Sequence, residues 1–596
     1  MTSGKVVPKK LPREVYKALE DIVGPEWISE DRAIVEAYSK TQSAGCIVQK
    51  HNRDPTPIPA CVVLPGSVEE VQAIVRVCNR YKLPFTPYTN AQHGAPTVPG
   101  TVVIHLKRLD KILEINEEDM YAIVQPFVSM ARLEAEARRR GLFYPGNTGS
   151  TIITKFGSIF TSWGMNYTDA KYGTLARHVL GIKVVLPTGE LMCTGSLALP
   201  KAGPVCAEGP GPNLWALFRG SWGTRGIIVE LAIKLFPWFG DPWLPEDEHP
   251  NIHNYPTKGV DRPKEPIKNT RFYVIDYPNI ECEVKGLYKL LHSGIGIAIN
   301  AFTSYAAKAG APTLEGEYKA YTELIKPKAP FNVMVMLAAT TSQRQLSYEE
   351  KVLKAIVEET GGKIVSDQHK PELLDLFKPW LVDTVSSVLL FRWNRRGGRP
   401  REGPCGNVVP ASIPAMMKAY EELQRKYPPI SPLDTFGVSE SPAVFALDRH
   451  SVCYETEYFT RNVDRREFIE VGGRMEHEAY AMQVKLGSIG LPHWSDTLEP
   501  INTFFPEIGP NAYLFFRKVR KVFDPNSVMA PGRQVWDEDE FKKLPESVKS
   551  YWMEVRSKYS LPPLEVDESG VKWRSIEKRA PMAPPQAPRG GYVEVT

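Results

Sequence analysis

The chain has 596 residues, with 73 basic and 69 acidic side chains and a formal net charge of +4. That length exceeds one compact core, so two or more domains are expected. The near-balance of charge speaks against a nucleic-acid binder or a trap for acidic substrates.

Eight cysteines (Cys46, Cys61, Cys78, Cys193, Cys206, Cys282, Cys405, Cys453) lie far apart, with no C-x-x-C pair. No zinc knuckle, iron–sulfur ligand set or haem attachment is readable from that spacing. No apolar run approaches the ~20 residues that cross a bilayer. The N-terminus "MTSGKVVPKKLPREV" has lysines but no apolar signal core. A cytoplasmic location, no metal site and no nucleic-acid partner are the expectations.

The first sixty residues read as helical and Pro-interrupted. From Ala60 the order is regular: a strand at "CVVLP", then Ser67 and Glu70 as a capping box before a helix carrying Val71, Ile74, Val75 and Cys78. A short strand at Pro84–Pro87 leads into the polar loop "YTNAQHGAP", and Thr101–Leu106 is the next strand. "YAIVQPFV" and a helix from Ser129 to Gly141 complete a β-α-β-β-α order, followed by strands at "LGIKVVLPTGEL" and "RGIIVELAIKLFP". After Pro237 a Pro-rich stretch reads as a crossing between domains. Beyond it come two β-α-β runs, "TRFYVID" to "IAINAF" and "FNVMVMLAA" to "GKIV". The second holds a capping box at Ser347 and Glu350. They predict an antiparallel sheet with helices on one face. The tail after Tyr559 is too rich in proline for a core element and reads as an extended arm.

The polar loop is short on charge and rich in small residues, a composition that lets backbone N–H groups approach an anion. Taken alone it fits either a hairpin loop or a ligand cradle. Its surroundings carry a resemblance. "PGSVEEVQAIVRVCNRYKLPFTP", "VVIHLKRLDKILEIN", "FGSIFTSWGMNYTDAKYGTLARHVLGIKVVLPTGELMCTGSLALP", "NLWALFRGSWGTRGIIVELAIKLFP" and the closing "DPNSVMAPG" occur in that order. Together they resemble the FAD-binding domain shared by vanillyl-alcohol oxidase, p-cresol methylhydroxylase and glycolate-oxidase-type flavoproteins.

The resemblance implies an α+β, two-domain fold of the p-cresol methylhydroxylase (PCMH) type with an antiparallel-sheet cap. Its expected divisions are an N-terminal helical segment (1–54), an FAD-binding domain (55–238), a cap for substrate (239–499), a returning segment (500–536) and a Pro-rich C-terminal arm (537–596). It implies bound FAD, with backbone donors of Asn90, Ala91, Gln92 and Gly94 on the diphosphate. His93 is placed at the flavin ring, either packed there or joined to it covalently. Gly157, Ser158, Thr161 and Ser162 fall where the family's small-residue turn meets the ribityl chain and diphosphate. Gly223, Gly226 and Ile228 fall at the adenine side, where Trp222 and Arg225 depart from the family pattern. Arg533 falls near the flavin.

The family's phenol-binding Tyr–Arg pair is replaced by Pro492 and His493, and the H-x-G-D-G-N-x-H metal motif of its 2-hydroxy-acid members is absent. His493 is the candidate base, because imidazole titrates near neutrality and alcohol oxidation must release a proton. His450 and Tyr454 are further catalytic candidates, each also readable as structural. The basic run Arg392–Gly403 reads as a solvated loop or a site for an anionic substrate or acidic partner.

The implied activity is hydride removal from an alcohol, phenol or hydroxy acid, with electrons passed on to oxygen or a protein acceptor. The implied assembly is a homo-oligomer or a subunit of a redox complex. Two alternatives stay open: a non-redox flavoenzyme like alkyl-dihydroxyacetone-phosphate synthase, and a catalytically silent subunit.

Overall fold

The computed structural model describes principally residues 10–39, 57–89, 98–145, 155–160, 166–240, 269–301, 331–365, 406–426, 443–455 and 510–533. The first sheet joins β1 (Ile28–Ser29), β2 (Cys61–Val63), β3 (Phe85–Tyr88) and β4 (Val102–His105), in the order β1-β2-β4-β3. β4 runs parallel to both β2 and β3, and β1 pairs antiparallel with β2. Part of the N-terminal segment is therefore built into this sheet, where the sequence suggested helices alone. The helix Val68–Arg80 supplies the crossover. Ser67 Oγ caps it by accepting from Glu70 N at 3.2 Å, and the Glu70 carboxylate accepts from Gly66 N at 2.7 Å.

The second sheet begins with β5 (Ile112–Asn116) and β6 (Tyr121–Val124). After the short β7 (Leu142–Phe143) it takes in β8 (Val179–Val185), β9 (Leu191–Cys193) and β10 (Ile227–Lys234). Its order is β5-β6-β10-β8-β9, and β11 (Phe236–Pro237) pairs back onto β7. β10 reads "IIVELAIK" because it is the central strand, apolar on both faces.

The third sheet holds β12 (Thr270–Tyr277), β13 (Ala298–Ala301), β14 (Phe331–Ala338) and β15 (Lys363–Ile364). Next come β16 (Arg399–Glu402), β17 (Gly406–Val408), β18 (Thr435–Phe436), β19 (Ala443–Ala446), β20 (Val452–Glu455), β21 (Glu457–Thr460) and β22 (Ile489–Gly490). Eight of these form one antiparallel sheet, β15-β12-β14-β13-β19-β20-β17-β22, and β16-β21-β18 form a small separate one. The basic run Arg392–Gly403, expected as a loop, thus contains a strand. In the tail, Val566–Asp567 pairs with Gly570–Val571.

Alternation gives the large sheet two different faces. Tyr273, Ile275, Tyr277, Ile299, Val333, Val335, Leu337, Val444 and Tyr454 pack with the helices Ile280–Ser293, Gln343–Glu359 and Ile413–Lys426. Met334, Asn300, Phe445 and Cys453 stand opposite one another in register on the other face. That face meets the FAD-binding half. Asn300 Nδ2 donates to Tyr167 O at 3.0 Å, and the Phe445 and Tyr167 rings lie 5.6 Å apart.

One capping expectation is corrected. The helix Gln343–Glu359 starts at Ser342, whose Oγ accepts from Gln345 N at 3.1 Å, while Gln345 Oε1 accepts from Thr341 N at 3.1 Å. Ser347 lies one turn inside and donates to Gln343 O. Glu350 pairs with Arg271 and Lys354 instead. "SQRQ" and "SYEE" both fit the capping pattern, and the strand ending at Ala338 selects the earlier one.

Candidate functional site

Three segments meet along β3. Phe85 N donates to Val528 O at 2.8 Å and Ala530 N to Phe85 O at 2.7 Å, so the returning segment is laced onto the strand that leads into the polar loop. Asp524 holds this segment in shape by accepting from Val528 N and Met529 N. Arg520, buried on the helix Pro510–Phe523, donates to Ala530 O and Arg533 O. Arg533 in turn donates to Trp222 O at 3.2 Å, joining the third segment, residues 221–226.

That third segment is a tight turn. Trp222 (φ 52°) and Gly223 (φ 70°) are both left-handed, and Thr224 N closes the turn on Ser221 O at 3.0 Å. A bulky residue in this region is strained by ~1–3 kcal/mol and persists only where its surroundings fix it. Here Arg533 does so. Gly223 has no alternative: a Cβ would sit 2.7 Å from Pro87 Cγ. Gly226 is equally confined, with a Cβ 2.5 Å from Val184 Cγ2. Ile228 is a core residue on β10, opposite Val184, so its side chain faces the protein interior.

Two hydroxyl groups at this corner, Thr86 Oγ1 and Ser221 Oγ, are buried with no hydrogen-bond partner among the described residues. Arg225, also buried, donates to Leu217 O but leaves Nε unpaired. Burial and the nearby Arg520 lower its pKa to about 10. Unpaired donors beside backbone held too close for a Cβ suit an acceptor-rich anionic group, and the diphosphate and ribose of FAD are such groups.

The turn at Gly157 lies across the same half. Gly157 N donates to Pro126 O at 2.9 Å, and a Cβ there would lie 2.6 Å from Pro126 Cβ. Ser158 Oγ donates to Lys155 O. The Lys155 ammonium stands 4.9 Å over the Phe127 ring, and burial lowers its pKa. Phe127 touches His105, whose Nδ1 lies 2.6 Å from Tyr38 Oη and whose ring contacts Tyr88. Desolvation lowers the His105 pKa to about 4, so it is neutral. Asn90, Ala91, Gln92, His93, Gly94, Thr161, Ser162 and His493 lie outside the described residues.

His450 and Tyr454 do not share an environment. Tyr454 is fully buried on the helix side of the cap sheet, its ring stacked on Tyr420 at 5.5 Å, away from the FAD-binding half. His450 is exposed at the turn between β19 and β20. The structure assigns Tyr454 to packing. It also brings forward side chains that motif reading missed: Asp169, Arg177 and Arg219 from the FAD-binding half, facing Asp448 of the cap. A signal for Arg219 was present: it is a cation inside "NLWALFRGSWG", where an apolar run enters a glycine turn.

Comparison with known proteins agrees with this geometry. Residues 59–195 match the model of an FAD binding domain. The chain is 29% identical over 232 residues to the glycolate oxidase subunit GlcD of Bacillus subtilis, covering 38% of this chain and 46% of that protein. It is 24% identical over 531 residues to D-2-hydroxyglutarate dehydrogenase of Stutzerimonas stutzeri, covering 86% of this chain and 97% of that protein. A solved structure of p-cresol methylhydroxylase with substrate bound superposes with a TM-score of 0.68 at 16% identity, over 90% of this chain and 99% of the other. The matches to GlcD, to D-lactate dehydrogenase of Anaerostipes hadrus and to the probable mitochondrial D-lactate dehydrogenase of Danio rerio each span less than half of the relative's length. The fold is that of PCMH-type flavoproteins, residues 59–195 match an FAD binding domain, and the cofactor is FAD. Among the described residues, no helix is long and apolar enough to cross a membrane.

Proposed function

We propose that this protein oxidises a small hydroxy acid or related alcohol, taking hydride from the carbon that bears the hydroxyl group. The observation that carries the reading is the corner where β3, the turn 221–226 and the segment 528–533 converge on buried, unpaired donors. The hydroxy-acid enzymes among the relatives support the substrate class. FAD, when bound, supplies the two-electron acceptor at N5.

The protein's own residues hold the cofactor, orient the substrate and take up the hydroxyl proton. His493 is the proposed proton acceptor, and the product is the corresponding carbonyl compound. Electrons leave to a separate acceptor, because the sequence shows no cysteine pattern for a second redox centre. Covalent attachment of FAD through His93 is part of the proposal.

The test is anaerobic mixing of the purified yellow protein with glycolate, D-lactate and D-2-hydroxyglutarate. Bleaching of the flavin by one of them is expected. Flavin that light reduces but no hydroxy acid or alcohol bleaches would sink the reading. Acid precipitation addresses the attachment: colour in the pellet, lost in His93→Ala, supports it, and colour in the supernatant rejects it.

A further inference from the structure

The helix Pro510–Phe523 buries a charge that the surrounding protein does not answer. Its inward face carries Tyr513, Leu514, Arg517 and Arg520, with Asp524 just past its end, spaced as one side of a helix is. Arg520 donates to the carbonyls of Met529, Ala530 and Arg533, and Asp524 accepts from the amides of Val528 and Met529. Arg517, one turn before Arg520, is different. It is 6% exposed, and its Nε and Nη2 are buried with no hydrogen-bond partner among the described residues. The acid on this face, Asp524, lies about two turns away and is turned to backbone amides.

Contacts around Arg517 close a ring. Arg520 donates to Arg533 O at 2.7 Å, and Arg533 reaches Trp222 O at 3.2 Å. In the same tight turn Arg225 lays its guanidinium 5.1 Å from the centre of the Phe516 ring, back on the helix. The stretch so enclosed is Phe516 to Arg520, and Arg517 falls within it on the buried face. Arg225, 5% exposed, also keeps Nε without a partner among the described residues, and so does the Ser221 hydroxyl on the turn. These donors stand where the turn presses on β3 and leaves no room for a Cβ at Gly223 beside Pro87. Unpaired guanidinium groups inside a folded protein are costly, far more so than an unpaired neutral group. Both arginines call for an anion.

We propose that Arg517 and Arg225 hold the diphosphate of FAD, with the Ser221 hydroxyl donating beside them. Each phosphate of that group bears a negative charge, so the pair of arginines is matched, whereas a carboxylate would cancel one of them alone. The planar fork of guanidinium N–H groups also meets two phosphoryl oxygens at once. Side-chain charge from the closing helix thus adds to the backbone donors expected of the polar loop. The inference rests on FAD as the cofactor and is independent of the substrate reading.

Phosphorus NMR of the purified, FAD-loaded protein tests it, because that signal comes from the diphosphate itself. Wild type should show flavin phosphorus resonances displaced from those of free FAD. In R517M and in R225M at least one should move back towards the free position, and R517K should fall between, keeping the charge without the fork. The visible flavin spectrum should match wild type in all three. R517M should fold, since methionine fills the space and removes a charge the protein leaves unanswered. A folded R517M that loses its FAD while R517K keeps it also supports the assignment; loss from both points to packing and overturns it. Resonances unmoved in R517M overturn it, as does an R517M that cannot fold. So does a signal of bound inorganic phosphate that vanishes in R517M while the diphosphate stays put. Flavin that no hydroxy acid bleaches leaves this assignment standing, and bleaching with unmoved phosphorus signals removes it while keeping the oxidation.

Discussion

The two halves of the molecule bury polar groups in different ways. In the cap many are answered by protein groups, one of them across the seam. Asn300 donates to Tyr167 O and accepts from Ala446 N, and Glu349 accepts from Gly296 N and Gln345 Nε2. Arg449 donates to the carbonyls of Ile295 and Gly294, closing the end of the helix Ile280–Ser293. Asp276 Oδ1 and Glu283 Oε2 in the cap are buried without a hydrogen-bond partner among the described residues, and burial raises both pKa values, that of Asp276 to about 6. In the FAD-binding half, Thr86, His105, Tyr144, His178, Ser221 and Arg225 each keep a buried polar atom without a partner among the described residues. Such groups are uncommon in native proteins and call for an explanation each. Several of them surround the corner that suits FAD, which gives that half a reason the cap lacks.

Gly223→Val gives the largest expected effect. The added side chain meets Pro87 and must adopt a left-handed backbone, so a loss of about 3 kcal/mol or more and of bound flavin is expected. Gly296→Ala in the cap also demands φ 71° but has its nearest contact at 3.3 Å. It should lower the urea midpoint modestly and leave flavin content unchanged. Equal flavin loss in the two variants would break the contrast between the halves.

Acid should separate the halves next. Burial lowers the pKa of His105 and of His178 from 6.5 to about 4. Between those values the unfolded chain binds more protons than the folded one, so stability rises with pH through the window. It is fully present above pH 6.5 and lost as pH falls towards 4, by up to roughly 3 kcal/mol for each histidine. Both lie in the FAD-binding half. Flavin should be released on acidification before the cap's helical signal is lost, and His178→Gln should flatten the urea midpoint between pH 7 and 5. A midpoint that drops as steeply in the variant would remove His178 from this account.

Much of the FAD-binding half was legible because its signals are local. The Ser67 cap, the turn at Gly223 and the "DPNSVMAPG" closure are each short stretches with a defined backbone shape. β1 was missed because a two-residue strand carries no periodicity. The seam was missed for a different reason. Asp169, Arg177, Arg219, Asn300 and Asp448 meet only when strands far apart in the chain pair, and no spacing rule joins them. Of the two readings the sequence left open for Tyr454, packing is favoured because alternation along β20 turns the side chain to the helices.

Asn300→Ala addresses that seam. The side chain is 1% exposed and bonded at both ends, to Tyr167 O at 3.0 Å and Ala446 N at 3.3 Å. Its removal leaves a buried carbonyl and a buried N–H unanswered, a loss of about 2 kcal/mol. The cap should become more sensitive to protease while flavin content holds. An unchanged digestion pattern would show that the halves are joined mainly elsewhere.

The smallest effect distinguishes two serines five residues apart. Ser342 caps the helix Gln343–Glu359 by accepting from Gln345 N, so Ser342→Ala leaves a first-turn donor unanswered and should cost about 1 kcal/mol. Ser347 is exposed inside the first turns and bonds back to Gln343 O, a contact that competes with the helix's own pattern. Alanine is the better helix former there, so Ser347→Ala should be neutral or stabilising by a few tenths of a kcal/mol. Urea midpoints read from the cap's helical signal resolve the pair. If Ser347→Ala is the more damaging change, the helix begins at the later box and the packing of Leu346, Leu353 and Ile356 against β14 must be drawn again.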